Sequence, residues 1–67
     1  MITVNGDPAE LPVGARIADV LDQLGVEPGR RGVAIALDGE LVPRAHRDTT
    51  NLQDGVRVEV VQAIQGG

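Results

Sequence analysis

The sequence predicts an α+β fold in which a mixed sheet of four to five strands is covered on one face by a single helix. Three observations lead to this class. Alternating apolar and polar runs are separated by Asn-Gly and Asp-Gly pairs, one segment carries an apolar stripe at helical spacing, and 67 residues suffice for one domain. Strands grouped around a single amphipathic helix are typical of α+β proteins.

The chain opens with a predicted hairpin. Met1–Val4 alternates apolar and polar residues, as a half-buried strand does. The pair Asn5-Gly6 follows, and it is the strongest short hairpin signal because both central residues of a type I′ turn need positive φ. Pro8–Val13 is predicted to return as a second strand, and its two prolines favour an irregular or edge position.

One helix is predicted after Gly14. Apolar residues spaced i, i+3, i+4 and i+7 form a single stripe, which consists of Ile17, Val20, Leu21 and Leu24. Gly25 is placed to end the helix. Because Ala15 and Arg16 are poor capping residues, we expect the first turn to fray.

A loop over Glu27–Gly32 leads to a second hairpin. Val33–Leu37 places large residues on one face and alanines on the other. Asp38-Gly39 then predicts a tight turn, and Glu40–Val42 reads as the return strand before Pro43. No pattern in the Glu27–Gly32 loop indicates a role for it.

The last third of the chain supplies a core anchor and the final strand. The polar segment 44–51 is expected to be irregular with one 3₁₀ turn, and Leu52 to drop into the core. After the Asp54-Gly55 turn, valines alternate with charged residues over 56–60. A crossover helix between the first and last strands permits their parallel pairing at the sheet centre, which is the ubiquitin-like β-grasp arrangement. We therefore predict a β-grasp domain over residues 1–62 and a flexible C-terminal tail over 63–67.

Composition excludes several function classes. A formal net charge of −4 and the absence of aromatic residues disfavour nucleic-acid binding. No apolar run is long enough to span a membrane. The absence of cysteine favours a reducing, cytoplasmic location.

Side chains that could support catalysis or metal binding are scarce. His46 is the single histidine, so we expect no metal site and a solvated loop histidine. Asp19 and Asp22 lie three residues apart on the predicted helix, where we expect a solvated face rather than an acid–base pair. We expect no enzyme activity of the chain itself, because it offers no nucleophile with a base beside it.

The C-terminal segment is the strongest candidate for function. It ends in Ile64, Gln65, Gly66 and Gly67. Two glycines without Cβ atoms suit a channel too narrow for other residues. The terminal carboxylate is an anion at neutral pH and could attack the α-phosphate of ATP. A sulfur nucleophile would turn the resulting acyl adenylate into a thiocarboxylate, and a lysine amine would turn it into an isopeptide.

A second candidate is an apolar patch on the open face of the sheet. Ala34, Ala36 and Val61 are apolar but out of phase with the core positions. Exposed apolar patches commonly bind partners, whereas the alternative is that small residues simply line an uncovered sheet.

Three segments resemble the sulfur carrier family of thiamin biosynthesis, usually called ThiS. They are the opening MITVNGDPAELPVGARIADVLDQLGV, the middle AIALDGELVPR and the final DGVRVEVVQAIQGG. The resemblance spans essentially all 67 residues, and its specificity lies in the combination because a Gly-Gly end by itself is a weak motif.

The resemblance implies a β-grasp fold and a set of partners. Gly67 would be adenylated by a ubiquitin-activating-like enzyme, which would supply ATP and Mg²⁺, and would then carry sulfur as a thiocarboxylate. A sulfur-donating protein would provide the sulfur and thiazole synthase would receive it. The chain itself would bind no cofactor.

Two related functions share this tail chemistry. The small subunit of molybdopterin synthase is one, although the length and the segment LDGELVPR favour the thiamin carrier. A ubiquitin-like protein modifier is the other, and the absence of lysine excludes polymers linked through this chain's own side chains. A third, unrelated class is a non-carrier interaction module, which would keep its activity without Gly66 and Gly67.

Overall fold

A computed structural model describes residues 1–12, 14–27 and 31–62. The Val13 end of the predicted second strand and the residues 28–30 of the predicted loop lie outside this part of the chain. Within it, the secondary structure elements follow in the order β1 (Ile2–Val4), β2 (Asp7–Ala9), α1 (Ile17–Gln23), β3 (Val33–Leu37), β4 (Glu40–Leu41), a 3₁₀ turn (Arg44–His46) and β5 (Arg57–Gln62).

The five strands form one mixed sheet in the order β2-β1-β5-β3-β4. The central strand β5 runs parallel to its neighbour β1, with Thr3 beside Arg57 and Val4 beside Val58. The other three pairs are antiparallel. The last strand thus lies between the first strand and β3, which confirms the predicted β-grasp arrangement with its crossover helix.

Both hairpin turns have the predicted backbone. Asn5 and Gly6 adopt φ values of 51° and 85°, and Asp38 and Gly39 adopt 50° and 85°. Positive φ at both central residues is the type I′ requirement, and Asn and Asp tolerate it better than most side chains.

The core lies between the helix and one face of the sheet. The helix contributes Ile17, Val20 and Leu21, each at most 1% exposed. The sheet and the connections supply the other buried apolar residues, namely Ile2, Val4, Ala15, Val26, Val33, Ile35, Leu52, Val56, Val58 and Val60. Leu52 is buried in the core, as predicted, and anchors the end of the irregular segment there.

The structure corrects three expectations. Leu24 is 44% exposed and lies beyond the helix, because the helix ends at Gln23 before the stripe completes another turn. Strand β2 stops at Ala9 rather than continuing toward Val13. The start of the helix is held by main-chain pairing, because Leu52 donates to the Ala15 carbonyl at 2.9 Å and Arg16 bridges to Asn51.

Among the residues described, no helix combines the length and apolar character that a membrane crossing requires.

Candidate functional site

The last strand leads directly to the predicted tail. β5 is paired with β3 along its length, and Gln62, its final residue, lies opposite Val33. The predicted tail residues Ile64, Gln65, Gly66 and Gly67 lie outside the described residues. The structure therefore shows the base from which the tail begins, and the roles of those four residues stay predictions.

The sheet face that α1 does not cover is called here the outer face. Its side chains alternate along the strands with buried ones, and its described members are Thr3, Pro8, Ala34, Ala36, Leu41, Arg57, Glu59 and Val61.

The three predicted patch residues lie together on the outer face. Ala34 lies directly opposite Val61, and Ala36 lies between Leu41 and Glu59 on its two neighbouring strands. Val61 is 62% exposed and Leu41 is 70% exposed, whereas Ala36 is half-buried. An exposed apolar strip with one carboxylate beside it therefore flanks the end of β5.

Leu41 is a member of this strip that the sequence prediction missed. A two-residue turn at Asp38-Gly39 fixes the register of the hairpin, so that Leu41 must pair with Ala36. The length of the turn could therefore have predicted that Leu41 belongs to this strip.

Asn5 extends the parallel ladder beyond the end of β1. Its main-chain N–H donates to the Val58 carbonyl at 2.8 Å, as the next residue of a parallel strand would. Positive φ then takes its own carbonyl out of the ladder, and the side-chain amide replaces it. Oδ1 accepts from the Val60 N–H at 2.8 Å, and Nδ2 donates to the Val60 carbonyl at 3.3 Å. The two partners fix the orientation of this amide, since an N–H needs an acceptor and a carbonyl needs a donor.

Asp38 makes a related contact at the other end of β5. Its main-chain N–H donates to the Arg57 carbonyl at 2.8 Å, and its Oδ1 accepts from the Arg57 N–H at 2.9 Å. The guanidinium Nε of Arg57 lies 3.8 Å from the same oxygen, and both side chains are exposed. The two hairpin turns therefore hold the first and the fourth residue of the central strand through side-chain oxygens.

The remaining candidate side chains are separated from this region. His46 is exposed in the 3₁₀ turn, and Asp19 and Asp22 are exposed on the helix. Residues 1–12, 14–27 and 31–62 contain no group of three or more potential ligands placed to hold a metal ion. In these residues, the outer face and the end of β5 are the features suited to function, and they support binding and presentation.

Comparison with known proteins identifies close relatives. The ThiS family model matches residues 2–67. The chain is 39% identical over 67 residues to the sulfur carrier protein ThiS of Thermus thermophilus, and the match covers 100% of both chains.

Solved structures agree with that match. A crystal structure of the thiamine biosynthesis protein ThiS from Geobacter metallireducens superposes with a TM-score of 0.77 at 31% identity, and covers 98% of this chain and 97% of that one. An NMR solution structure of a thiamine biosynthesis protein from the same organism gives the same TM-score and identity, with 98% and 86% coverage.

Proposed function

Because the chain belongs to the ThiS family and is a sulfur carrier of thiamin biosynthesis, we propose that the carboxylate of Gly67 is the group that carries the sulfur. The observation that supports this assignment is the position of β5, which is the central strand and the one that leads into the Gly-Gly end. A tail that begins at the centre of a rigid sheet has a fixed base from which to enter a partner.

The chemistry needs two steps, the first at a terminal carboxylate oxygen and the second at the terminal carbonyl carbon. A carboxylate oxygen attacks the α-phosphorus of ATP, pyrophosphate leaves, and an acyl adenylate forms. Hydrosulfide, provided by a sulfur-donating protein, then adds to the carbonyl carbon, AMP leaves and a proton is released. The product is a thiocarboxylate, whose sulfur is donated for thiazole formation.

The partners supply the catalytic groups in this proposal. ATP and Mg²⁺ are bound by an adenylating enzyme of the ubiquitin-activating type, and thiazole synthase accepts the sulfur. The carrier itself acts as a co-substrate and holds no cofactor. Gly66 and Gly67 keep the end of the chain narrow, while Gln65 and Ile64 extend its reach, since five extended residues span about 16–18 Å. The proposal also places the protein in the cytoplasm, as expected from the sequence.

The outer face is proposed as the surface that docks on the adenylating enzyme. Val61 and Ala34 lie opposite each other one residue before the end of β5, and Ala36 joins them to Leu41. Docking through this strip places the partner directly against the start of the tail. Glu59, paired with Ala36, favours a cation on the facing surface of the enzyme.

The assignment of Gly67 is tested by intact-mass measurement. The purified chain is incubated with the adenylating enzyme, ATP and inorganic sulfide. We expect a mass gain equal to the replacement of one oxygen by one sulfur, and fragmentation should locate it at Gly67. A chain shortened by Gly66 and Gly67 is the matched control and should gain nothing. An unchanged mass of the full chain, under conditions in which the T. thermophilus relative gains sulfur, would refute the assignment.

The docking surface is tested by Val61→Asp. A carboxylate at this position would have to be desolvated in the complex, so we expect KM for the carrier to rise about tenfold or more. Leu24→Asp is the control, because it also places a carboxylate on an exposed apolar side chain but lies at the end of the helix, away from the outer face. Equal KM values for the two variants, with both folded by far-UV circular dichroism, would remove the outer face as the docking surface.

A further inference from the structure

We propose that Asn5 is a positioning residue, whose side-chain amide sets the direction in which the chain leaves β5 and so aims the terminal carboxylate at the adenylating centre. This inference rests on the proposed function of Gly67. It assigns to the Asn-Gly hairpin a role in presenting the tail, in addition to its role in turning the chain.

The argument begins with the unequal support of β5 on its two sides. On the β3 side the strand is paired as far as Gln62. On the β1 side the strand pairing covers only Arg57 and Val58, because β1 ends at Val4. Among the described residues, the contact that reaches Val60 from that side is the pair of hydrogen bonds from the Asn5 amide.

Those two hydrogen bonds satisfy the main chain at a buried position. Val60 is 8% exposed and its two hydrogen bonds with Asn5 are partly buried, so the amide limits the access of water to the Val60 N–H and carbonyl groups on the β1 side. A buried main-chain group without a partner destabilises the conformation that buries it. If the amide were lost, we expect the end of β5 to move away from the turn until water reaches Val60, with β3 as the remaining hinge.

A small rotation at Val60 becomes a large displacement at the end of the chain. When extended inside a partner, the seven residues 61–67 span about 23 Å, so a rotation of about 10° at Val60 moves the carboxylate by about 4 Å. In-line attack on a phosphate needs the reacting atoms within about 3–3.5 Å, and a 1 Å error can cost about a hundredfold in rate. Docking of the outer face need not change, since Ala34, Ala36 and Leu41 lie on β3 and β4, which are not paired with β1.

Asp38 provides an internal comparison at the opposite end of the strand. Its φ of 50° matches the 51° of Asn5, a glycine follows it, and its side chain also accepts from a β5 main-chain N–H. The residue that it holds is Arg57, the first of β5, whereas Asn5 holds Val60 near the exit. Replacement of either residue by glycine relieves the same backbone strain and removes an acceptor for a β5 main-chain N–H, near the tail for Asn5 and far from it for Asp38. The Asn5 variant also loses the donor to the Val60 carbonyl, and the Asp38 variant also loses its ion pair with Arg57.

The test compares Asn5→Gly with Asp38→Gly in steady-state adenylation, measured by pyrophosphate release with the full-length carrier varied. We expect Asn5→Gly to lower kcat about tenfold while KM stays within about twofold of the unmodified chain. Asp38→Gly should change neither constant by more than about twofold. Amide hydrogen exchange should be faster at Val60 in Asn5→Gly, and unchanged there in Asp38→Gly.

Equal kcat values for the two glycine variants would overturn the inference, and so would a raised KM with unchanged kcat in Asn5→Gly. If Asn5→Gly is not folded by far-UV circular dichroism, Asn5→Asp replaces it. Aspartate keeps the acceptor for the Val60 N–H, loses the donor and tolerates positive φ, so kcat should still fall, and an unchanged kcat would again refute the role. Failure of the unmodified chain to be adenylated would instead refute the proposed function itself.

Discussion

Arg47 is a buried arginine in a domain with a small hydrophobic core. The residue is 8% exposed, and its Nη2 donates to the main-chain carbonyl of Val33 at the start of β3. Within the described part of the chain, its Nε and Nη1 atoms are buried without a hydrogen-bond partner. A buried charge with unpaired donors contributes little net stability, so we infer that the aliphatic stem of Arg47 supplies most of what the residue adds.

Arg47→Met and Arg47→Ala separate the stem from the charge. Methionine keeps an unbranched apolar side chain in place and removes the unpaired donors, whereas alanine also leaves a cavity. We expect the alanine variant to be less stable than the methionine variant by about 1–2 kcal/mol in urea unfolding followed by circular dichroism. Equal loss in both variants would show that the hydrogen bond to Val33 is the dominant contribution.

Asp54 introduces a dependence of stability on pH at the other end of the sheet. The N-terminal amine of Met1 donates to its carboxylate, and this contact holds the pKa of Asp54 below its ordinary value of 3.8. A carboxyl group with a lowered folded-state pKa stabilises the fold above its unfolded-state pKa, and this contribution disappears as the pH falls through the folded-state value.

Asp54→Asn should therefore weaken the dependence of stability on pH under acidic conditions. We expect its melting temperature to fall less steeply than that of the unmodified chain as the pH drops below about 4, with a small difference because the pair is exposed to solvent. The difference should shrink further in high salt. Asp48→Asn is the control, because Asp48 is also exposed and lies six residues before Asp54. Parallel curves for Asp54→Asn and the unmodified chain would contradict the assignment.

At the scale of the elements, the start of the helix is the place where sequence reasoning and structure diverge. Poor capping residues predict a frayed first turn, but the Arg16 N–H donates to Oδ2 of Asp19 at 2.8 Å. This is one half of a capping box, and the guanidinium of Arg16 has no acceptor with which to provide the other half. The main-chain contacts from Asn51 and Leu52 complete the support.

Asp19→Ala tests this start of the helix, with Asp22→Ala as its control. Both substitutions gain the same helix propensity on an exposed face, but only Asp19 makes the capping contact in the described structure. We expect Asp19→Ala to be less stable than Asp22→Ala by about 1 kcal/mol in urea unfolding. If the two variants unfold together, the main-chain bridge alone holds the helix start.

The strands show what a single sequence can and cannot predict. Val33–Leu37 agrees with its predicted bounds, because alternation and a following Asp-Gly turn define it locally. β2 was predicted too long, since residues 10–12 follow the apolar pattern of a strand without a partner to pair with. The members of the outer face could be predicted, because successive side chains of a strand point to opposite faces of the sheet. The Asn5 contact could not be predicted, because it depends on the register between residues 55 positions apart.

At the scale of the whole molecule, the fold depends on its last strand. β5 lies between β1 and β3, and its inward residues Val58 and Val60 are part of the core. Loss of this strand would separate the sheet into two hairpins, and an isolated two-stranded hairpin is marginally stable at best.

Truncated chains test this dependence and the predicted domain boundary. We expect residues 1–62 to unfold cooperatively at the same temperature as the full chain, because the sheet ends at Gln62. Residues 1–55 should show no cooperative transition in circular dichroism. A lower melting temperature for residues 1–62 would place part of the folded domain beyond Gln62, and a cooperative transition for residues 1–55 would contradict the central role of β5.

The parallel pairing of β1 with β5 also bears on how the protein is made. Synthesis proceeds from the N-terminus, so β1 leaves the ribosome long before the strand that it needs as a neighbour. Pairing between distant segments is slow compared with local contacts, and here it must await the final strand. A nascent chain can therefore complete its sheet only after β5 has left the ribosome. A product terminated before β5 would lack the strand that joins the two hairpins, and would stay unfolded and open to proteolysis.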